Sequence, residues 1–368
     1  MRNYRKEEEF SVRKYLVPGL MTLIATPAFS GGIERNPQSM NILFQEGNYV
    51  ELGVTYGRPR VSGDVFSAGF PSGNVARAFT NGSLSFKGDV NEQLSYAIIL
   101  DQPFGADTLY PDGSPLAGAF GKIDNTTLTG VLRYKFDGGF STHAGLRSSW
   151  TKGSVGLPQV PAVPLPAYTM STNTDQAWGY LLGVAYEKPE IALRVALTYN
   201  SAVKHTFTPS ESIGGVPVPP NPDFTTKLPE SVNLEFQSGV AEDTLVFGSV
   251  RWMKWKDFVI PAPALGTDLV AYQKNSMTYT LGVGRRFNEN WSGSVSLSHD
   301  TGNGNPTSNL GPVGKRNSIG IGASYTMDAM TISAGVQYTR IGSATTTLNS
   351  QFSNNSAIGA GVRVGFSF

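Results

Sequence analysis

Three histidines and a run of serines are the side chains of this sequence that could support catalysis or metal binding. His143, His205 and His299 lie far apart, and none has the HExxH spacing that places two imidazoles on one metal ion. Cysteine is absent, which excludes thiol catalysis and thiolate metal sites. The serines of residues 292–298 alternate along the chain instead of lying in a G-x-S-x-G turn. The pattern indicates no enzyme, and no cofactor or metal is expected.

Two stretches of the sequence combine proline with large apolar residues. Proline favours the extended polyproline II conformation, so apolar side chains there can be presented without a packed core. We expect that they either contact an apolar molecule or pack on each other as a lid. The candidates are Leu157, Val160, Val163 and Leu165 in the stretch 154–174, and Val216, Val218 and Phe224 in the stretch 208–227.

The elements that must position these residues alternate apolar with small or polar residues after Asn48. Trp291, Val295 and Leu297, for example, oppose a face of serines, the period of two that is typical of strands with two different faces. Fourteen strands are predicted near 49–60, 82–88, 94–101, 122–136, 140–153, 175–186, 191–207, 228–241, 244–255, 270–287, 291–300, 315–326, 330–340 and 355–368.

The predicted connections alternate strictly between tight turns and long loops. Outer-membrane barrels have this arrangement, with short turns at one end and long loops at the other. The prediction is an all-β fold, a 14-stranded antiparallel transmembrane β-barrel formed by residues 49–368. Its last strand places Ile358, Val362 and Phe366 on the same face as the final residue, Phe368. Such a strand is similar to the signal read by the barrel-assembly machinery, which is therefore an expected partner.

The first thirty residues have the pattern of a signal peptide. A basic stretch from Arg2 to Lys14 precedes a short apolar stretch, and Ala28-Phe29-Ser30 offers a cleavage site before Gly31. Export together with a barrel predicts a cell outer-membrane location, in contact with outer-membrane lipid and lipopolysaccharide. Only 15% of residues are charged and the net charge is +1, which gives no support for nucleic-acid binding.

A barrel of fourteen strands is too wide for its own side chains to fill. Residues 31–48 precede the first strand and contain Asn36, Pro37 and Gln38. Proline removes a backbone donor and restricts the residue before it, so this segment does not begin as a strand. We expect a short N-terminal hatch inside the barrel.

Several short motifs occur in an order that resembles the FadL/TodX family. They are Asn36-Pro37 followed by Phe44, Arg60-Val61-Ser62-Gly63, Ala196-Leu197-Thr198-Tyr199, Leu228-Pro229-Glu230, Trp252 with Trp255 and Phe258, and Asn290-Trp291. Each motif is weak alone, but their order and spacing extend from Asn36 to Phe368.

The resemblance implies passive uptake of a hydrophobic small molecule, most specifically a long-chain fatty acid. The molecule would be caught by the long loops, enter the barrel and leave sideways into the membrane at a kink in strand three, near Pro103 and Gly105. The family implies a monomer and no cofactor. The segment before Asn36-Pro37 is shorter than is usual in the family, and Gln38 replaces the usual alanine, so a leakier channel is an open alternative.

A carboxylate in an apolar pocket needs a cationic partner, since an unpaired buried charge is costly. The resemblance points to Lys274. Arg147 and Lys152 on strand five and Arg194 on strand seven are further candidates, although cations commonly line a wet lumen.

Two other functions remain open at this stage. A general porin for small polar solutes would need a charged constriction loop, whereas the longest loops here are apolar and proline-rich. A surface adhesin without transport is the third alternative.

Overall fold

The computed structural model describes residues 32–160, 166–220 and 222–368 of the chain. The expected signal peptide, residues 1–30, lies outside the described residues. Within them, fourteen strands form a closed antiparallel barrel. They are β1 (Tyr49–Arg60), β2 (Phe79–Asp89), β3 (Leu94–Asp101), β4 (Phe120–Lys135), β5 (Phe140–Leu157), β6 (Asp175–Lys188), β7 (Leu193–Asn200), β8 (Ser231–Ala241), β9 (Thr244–Met253), β10 (Ser276–Arg286), β11 (Trp291–Asp300), β12 (Arg316–Met327), β13 (Met330–Ile341) and β14 (Asn355–Ser367).

The first and last strands close the barrel. Their ladder begins with Tyr49 opposite Ser367 and ends with Arg60 opposite Ser356. On its other edge β1 pairs with β2, and each later strand pairs with the next along the chain. The predicted all-β, 14-stranded fold is therefore confirmed. Among the described residues, no helix is long and apolar enough to cross a membrane.

The two faces of the wall follow the alternation of the sequence. On β11, Val295 and Leu297 are exposed on the outer surface. On β14, Ile358, Val362 and Phe366 are likewise exposed on one face. Small and hydroxyl residues alternate with them and face inward. An apolar exterior and a polar interior are what a barrel wall in lipid requires.

Tight turns and long connections alternate around the barrel, as expected. The turn from β4 to β5 is only Asp137–Gly139, in which Gly138 and Gly139 adopt positive φ angles of 77° and 86°. Several long connections form β-structure of their own. Their paired segments are Gly63–Val65 with Phe70–Pro71, Val203–Phe207 with Phe224–Leu228, Pro209–Ile213 with Tyr168–Thr172 and with Val216–Pro217, and Val259–Ala262 with Thr267–Ala271.

Two of the predicted strands are wrong in extent. Residues 191–207 form β7 and then, after Ser201, a separate strand that leaves the wall to pair with Phe224–Leu228. Ser201 lies where the chain leaves the wall. Its N–H donates to the Tyr180 carbonyl at 2.9 Å, and its hydroxyl accepts from the Tyr180 N–H at 2.9 Å. Residues 270–287 likewise divide into the end of a loop hairpin and β10.

Candidate functional site

The N-terminal segment, residues 32–48, runs through the interior of the barrel. Its 3₁₀ turn, Asn41–Phe44, buries Leu43 and Phe44. The Phe44 ring contacts two guanidinium groups, with the Cζ atoms of Arg133 and Arg194 at 4.3 and 4.5 Å from its centre. Arg133 also donates to the Leu43 carbonyl at 3.0 Å. Cation–π contacts of this kind are strongest where water is excluded, so the segment is fixed to the wall at this point.

The predicted hatch residues also bind the wall. The Gln38 amide donates to the Asp101 carboxylate at 3.2 Å and to the Thr129 hydroxyl at 3.1 Å. Its carbonyl oxygen accepts a hydrogen bond from Arg147. Further back along the segment, Glu34 forms a buried ion pair with Arg251, 2.6 Å between Oε1 and Nη2. Charge-assisted bonds in a buried setting stabilise the segment well beyond neutral ones.

The third strand is interrupted near Pro103 and Gly105, where the family resemblance implies a kink. Leu94–Asp101 pairs with β4 as far as Asp101 opposite Thr127, and pairing resumes at Gly105 opposite Asp124. Three residues, 102–104, thus face two on β4. Pro103 cannot donate a ladder hydrogen bond, and its carbonyl instead accepts from the N–H groups of Arg35 and Asn36 at 2.8 and 3.2 Å. The segment is therefore hydrogen-bonded to the broken strand.

A gap in the wall accompanies this interruption. The ladder between β2 and β3 ends at Leu84 opposite Leu100. Further towards the loops, Gly82 N–H donates to the Gln102 side chain at 3.1 Å, and Arg77 N–H donates to the Asp107 carbonyl at 3.1 Å. Between these two contacts, no backbone–backbone hydrogen bond joins the described residues of the two segments, and only the Asn81 side-chain amide donates to the Gln102 carbonyl, at 3.4 Å. Phe79 lies on the β2 side of this gap and Gly105 on the other side.

An apolar cavity of about 200 Å³ lies at the long-loop end of the barrel, above the N-terminal segment. This exceeds the ~150 Å³ of an engineered cavity that binds benzene. Part of its wall is a cluster of rings in which Phe258 and Tyr272 stack at 5.4 Å, next to the buried Trp255. The main apolar lining residues are Val61, Phe79, Ile123, Val155, Met170, Phe207, Phe224, Leu228, Phe258, Ile260, Leu269, Val270, Tyr272, Leu310, Val313 and Ile341.

Charged side chains reach the same cavity. Arg316 pairs with Asp300 at 3.5 Å, Arg77 with Asp107 at 3.9 Å, and Lys122 with Asp124 at 3.7 Å. The other two lining cations are Arg35 and Lys152. Burial lowers the pKa of the Arg35 guanidinium, while the Asp107 and Asp124 carboxylates oppose that shift.

His205 is held in a chain of hydrogen bonds at the edge of the cavity. Its Nδ1 lies 2.8 Å from the Asp175 carboxylate, and its Nε2 lies 3.1 Å from the Thr151 hydroxyl and 3.3 Å from that of Ser149. Burial lowers the pKa of the imidazole, and Asp175 opposes the shift. These bonds satisfy both ring nitrogens, as in a packed histidine. No group of metal-binding side chains occurs among the residues that the structure describes.

A second cavity, of about 280 Å³, lies on the other side of the N-terminal segment, towards the short turns. Its far wall belongs to β9–β14 and carries hydroxyl groups, including those of Ser249, Thr280, Ser296 and Ser318. This cavity is polar where the first is apolar. The segment therefore divides the lumen into two chemically different halves.

The structure does not bring the sequence-predicted ligand residues together in one site. Phe224 and Lys152 line the apolar cavity, and Arg194 lines the polar one. Arg147 binds Gln38. Leu157 and Val160 pack in neighbouring clusters, Val216 and Lys274 are exposed, and Val218 is partly exposed. Val163 and Leu165 lie outside the described residues.

Sequence reasoning missed most of the lining. Met170 and Phe207 come from strands in the long connections, and Ile260 and Leu269 come from a hairpin that was expected to be loop and strand end. The alternation of apolar and polar residues within these short segments could have predicted that they are strands. Arg35 was also missed, although it directly precedes Asn36-Pro37 and its positive charge could bind an anion.

The comparisons with known proteins agree with this geometry. The profile of a family described as "Outer membrane protein transport protein (OMPP1/FadL/TodX)" matches residues 18–366. A search of curated proteins found no match.

Solved structures with the same fold include a FadL homologue and two toluene transporters. The Pseudomonas aeruginosa FadL homologue has a TM-score of 0.73 at 16% identity, with 94% of this chain and 99% of that chain covered. The Pseudomonas putida toluene transporter TodX has a TM-score of 0.67 at 14% identity, covering 94% and 98%. The Ralstonia pickettii toluene transporter TbuX has a TM-score of 0.64 at 13% identity, covering 94% and 97%.

Proposed function

The chain belongs to the outer membrane protein transport family, OMPP1/FadL/TodX, and from this premise we propose that it is a passive outer-membrane channel for hydrophobic small molecules. The apolar cavity at the long-loop end is the observation that carries the proposal. Concave, mostly apolar sites with a few polar groups are typical of small-molecule binding. The toluene transporters TodX and TbuX, which share the fold, are named for a molecule of this class.

The route follows from the position of the cavity. A lipophilic molecule enters between the long connections, occupies the cavity and leaves through the gap between Phe79 and Gly105 into the membrane. The N-terminal segment is the hatch that blocks the direct path through the barrel. Its ion pair with Arg251 and its contacts around Phe44 support this role. Movement down a gradient of concentration needs no cofactor.

A long-chain fatty acid is the substrate we favour within this class. Its acyl chain suits the aromatic and aliphatic lining, and its carboxylate suits a lining cation that has no carboxylate partner within salt-bridge distance. An uncharged hydrocarbon would contact only the apolar lining of the cavity. Carboxylates buried among apolar groups gain most from a charged hydrogen-bond donor.

We propose four further properties of this channel. They are cleavage of residues 1–30 on export, assembly through the strand that ends at Phe368, function as a monomer, and contact of the apolar outer wall with outer-membrane lipid and lipopolysaccharide. No nucleic acid is expected to bind, because the sequence has no marked excess of basic residues.

The polar cavity favours a second candidate, a general porin. Its hydroxyl-lined wall on β9–β14 could hold a column of water past the N-terminal segment. A porin would conduct ions steadily and would show no preference for lipophilic molecules.

One paired experiment separates the two candidates. Uptake of a radiolabelled long-chain fatty acid is measured in cells that lack their own transporter and express this chain, and conductance is measured in planar bilayers. We expect uptake with little steady conductance. Steady conductance without fatty-acid uptake would favour the porin.

A further inference from the structure

Arg35 lies at the inner mouth of the gap in the barrel wall. Its guanidinium Cζ is 4.6 Å from the centre of the Phe79 ring, on the β2 side of the gap. On the other side, a Cβ built on Gly105 would lie only 2.7 Å from the same Cζ. The guanidinium therefore occupies the space that the missing side chain of Gly105 leaves. A molecule that moves from the cavity into the gap must pass it.

The backbone holds Arg35 in this place. Its N–H donates to the Pro103 carbonyl at 2.8 Å, and Gly105 N–H donates to the Ile33 carbonyl at 2.9 Å. Glu34 forms a bridge with Phe104 between these two bonds. The N-terminal segment thus pairs with the interrupted part of strand three, and the arginine is positioned before any ligand arrives. Preorganisation of this kind lowers the entropic cost of binding.

The Arg35 guanidinium forms no ion pair in the part of the chain that the structure describes, although the Asp107 and Asp124 carboxylates are near enough to favour its charged form. Among the described residues, no carboxylate lies within salt-bridge distance of it, whereas Arg77, Lys122 and Arg316 each have one. Lys152 is the other uncommitted cation, but it is exposed and can be solvated by water. Arg35 faces an apolar cavity, where an anion gains most from a fixed donor.

We propose that Arg35 binds the anionic head of an amphipathic ligand at the wall gap and so selects carboxylate-bearing lipophiles over uncharged ones. This inference rests on the proposed channel function and deepens it. The planar fork of the guanidinium matches a carboxylate, which can accept two parallel N–H bonds. The acyl chain lies along the Phe79 side of the cavity while the head is held, and the head is the last part to enter the gap.

The test compares binding of palmitate with that of methyl palmitate, which has a similar chain but no charge. Binding to the purified full-length protein in nanodiscs is measured by displacement of a fluorescent fatty-acid probe. The variants are Arg35→Met, Arg35→Lys and Lys152→Met, each checked for a folded barrel by heat-dependent gel migration. Uptake of both radiolabelled compounds into transporter-deficient cells is measured in parallel.

Wild-type protein is expected to bind palmitate more tightly than its ester. Arg35→Met should weaken palmitate binding about tenfold or more, the loss that removal of one charge-assisted contact produces, and should leave the ester unchanged. Arg35→Lys should retain part of the preference, and Lys152→Met most of it.

Three results would overturn the assignment. They are equal binding of both compounds by wild type, an equal loss of both in Arg35→Met, and loss of the preference in Lys152→Met alone. A failure of the proposed channel function gives a different result. Cells that express the wild-type protein would then take up neither compound, even if the protein in nanodiscs binds palmitate more tightly than its ester. If Arg35→Met does not fold, Arg35→Lys provides the test. Palmitate and ester affinities that are both unchanged in Arg35→Lys would contradict the bidentate contact with the head group.

Discussion

The guanidinium of Arg133 on β4 stacks on the ring of Phe44, with 4.3 Å between Cζ and the ring centre. The guanidinium of Arg194 on β7 also lies over this ring, at 4.5 Å. One aromatic side chain of the N-terminal segment thus contacts two cations from strands that are not neighbours in the wall. This contact fixes the segment on one side of the lumen and leaves the hydroxyl-lined cavity on the other.

Replacing Phe44 with alanine is therefore expected to loosen the N-terminal segment. The free energy of unfolding should fall by about 3 kcal/mol, as for other buried phenylalanines, and steady conductance in planar bilayers should rise. Phe287→Ala is the control, since Phe287 is exposed near the short turns. Unchanged conductance in a clearly destabilised Phe44→Ala barrel would show that the segment does not limit the pore.

The wall of the barrel could be predicted from the sequence because alternation depends only on which face each residue occupies. The ranges predicted for Tyr49–Arg60, Leu94–Asp101 and Trp291–Asp300 match the strands found. Lipid outside and water inside impose a strong contrast on each such strand. Local patterning was therefore sufficient there.

The site could be predicted only in part because it depends on contacts between distant residues. Apolar and polar residues continue to alternate through Ser201. The local sequence therefore does not indicate that Val203–Phe207 leaves the barrel wall. The position of Arg35 depends on hydrogen bonds to Pro103, and Gly105 matters for the space it leaves. None of these relations is encoded in spacing along the chain.

Gly105→Ala tests the close approach of Arg35 without touching its charge. The added methyl group would lie 2.7 Å from the guanidinium carbon, so the flexible arginine must move. We expect a stability change below about 1 kcal/mol and a clear fall in palmitate uptake. Gly130→Ala is a matched control on β4, because a Cβ there meets nothing within 4 Å. Equal uptake by both variants would contradict the importance of this contact.

Filling the apolar cavity should reduce transport of every lipophilic substrate. Phe224 lines the cavity and packs against Phe207 with 5.6 Å between ring centres. Phe224→Trp adds volume there and is expected to lower uptake of palmitate and of toluene alike, at a stability cost of about 1–3 kcal/mol from overpacking. Val216→Trp introduces the same residue at an exposed position that does not line the cavity and should leave uptake unchanged. A loss in Val216→Trp equal to that in Phe224→Trp would place the ligand path elsewhere.

The buried imidazole of His205 is expected to make the long-loop end of the barrel less stable in acid. Burial lowers its pKa in the folded state below the value of about 6.5 that it has when unfolded. The unfolded state therefore binds the proton more readily, so the stabilising contribution is complete above about pH 6.5 and is lost as the pH falls through the lowered pKa. We expect proteolysis within Val203–Phe207 and its partner strand to become faster as the pH is lowered from 7.5 towards 5. His205→Gln, which retains a hydrogen-bonding side chain but does not titrate, should show a flatter pH profile. Identical profiles for the two proteins would assign the acid sensitivity to other groups.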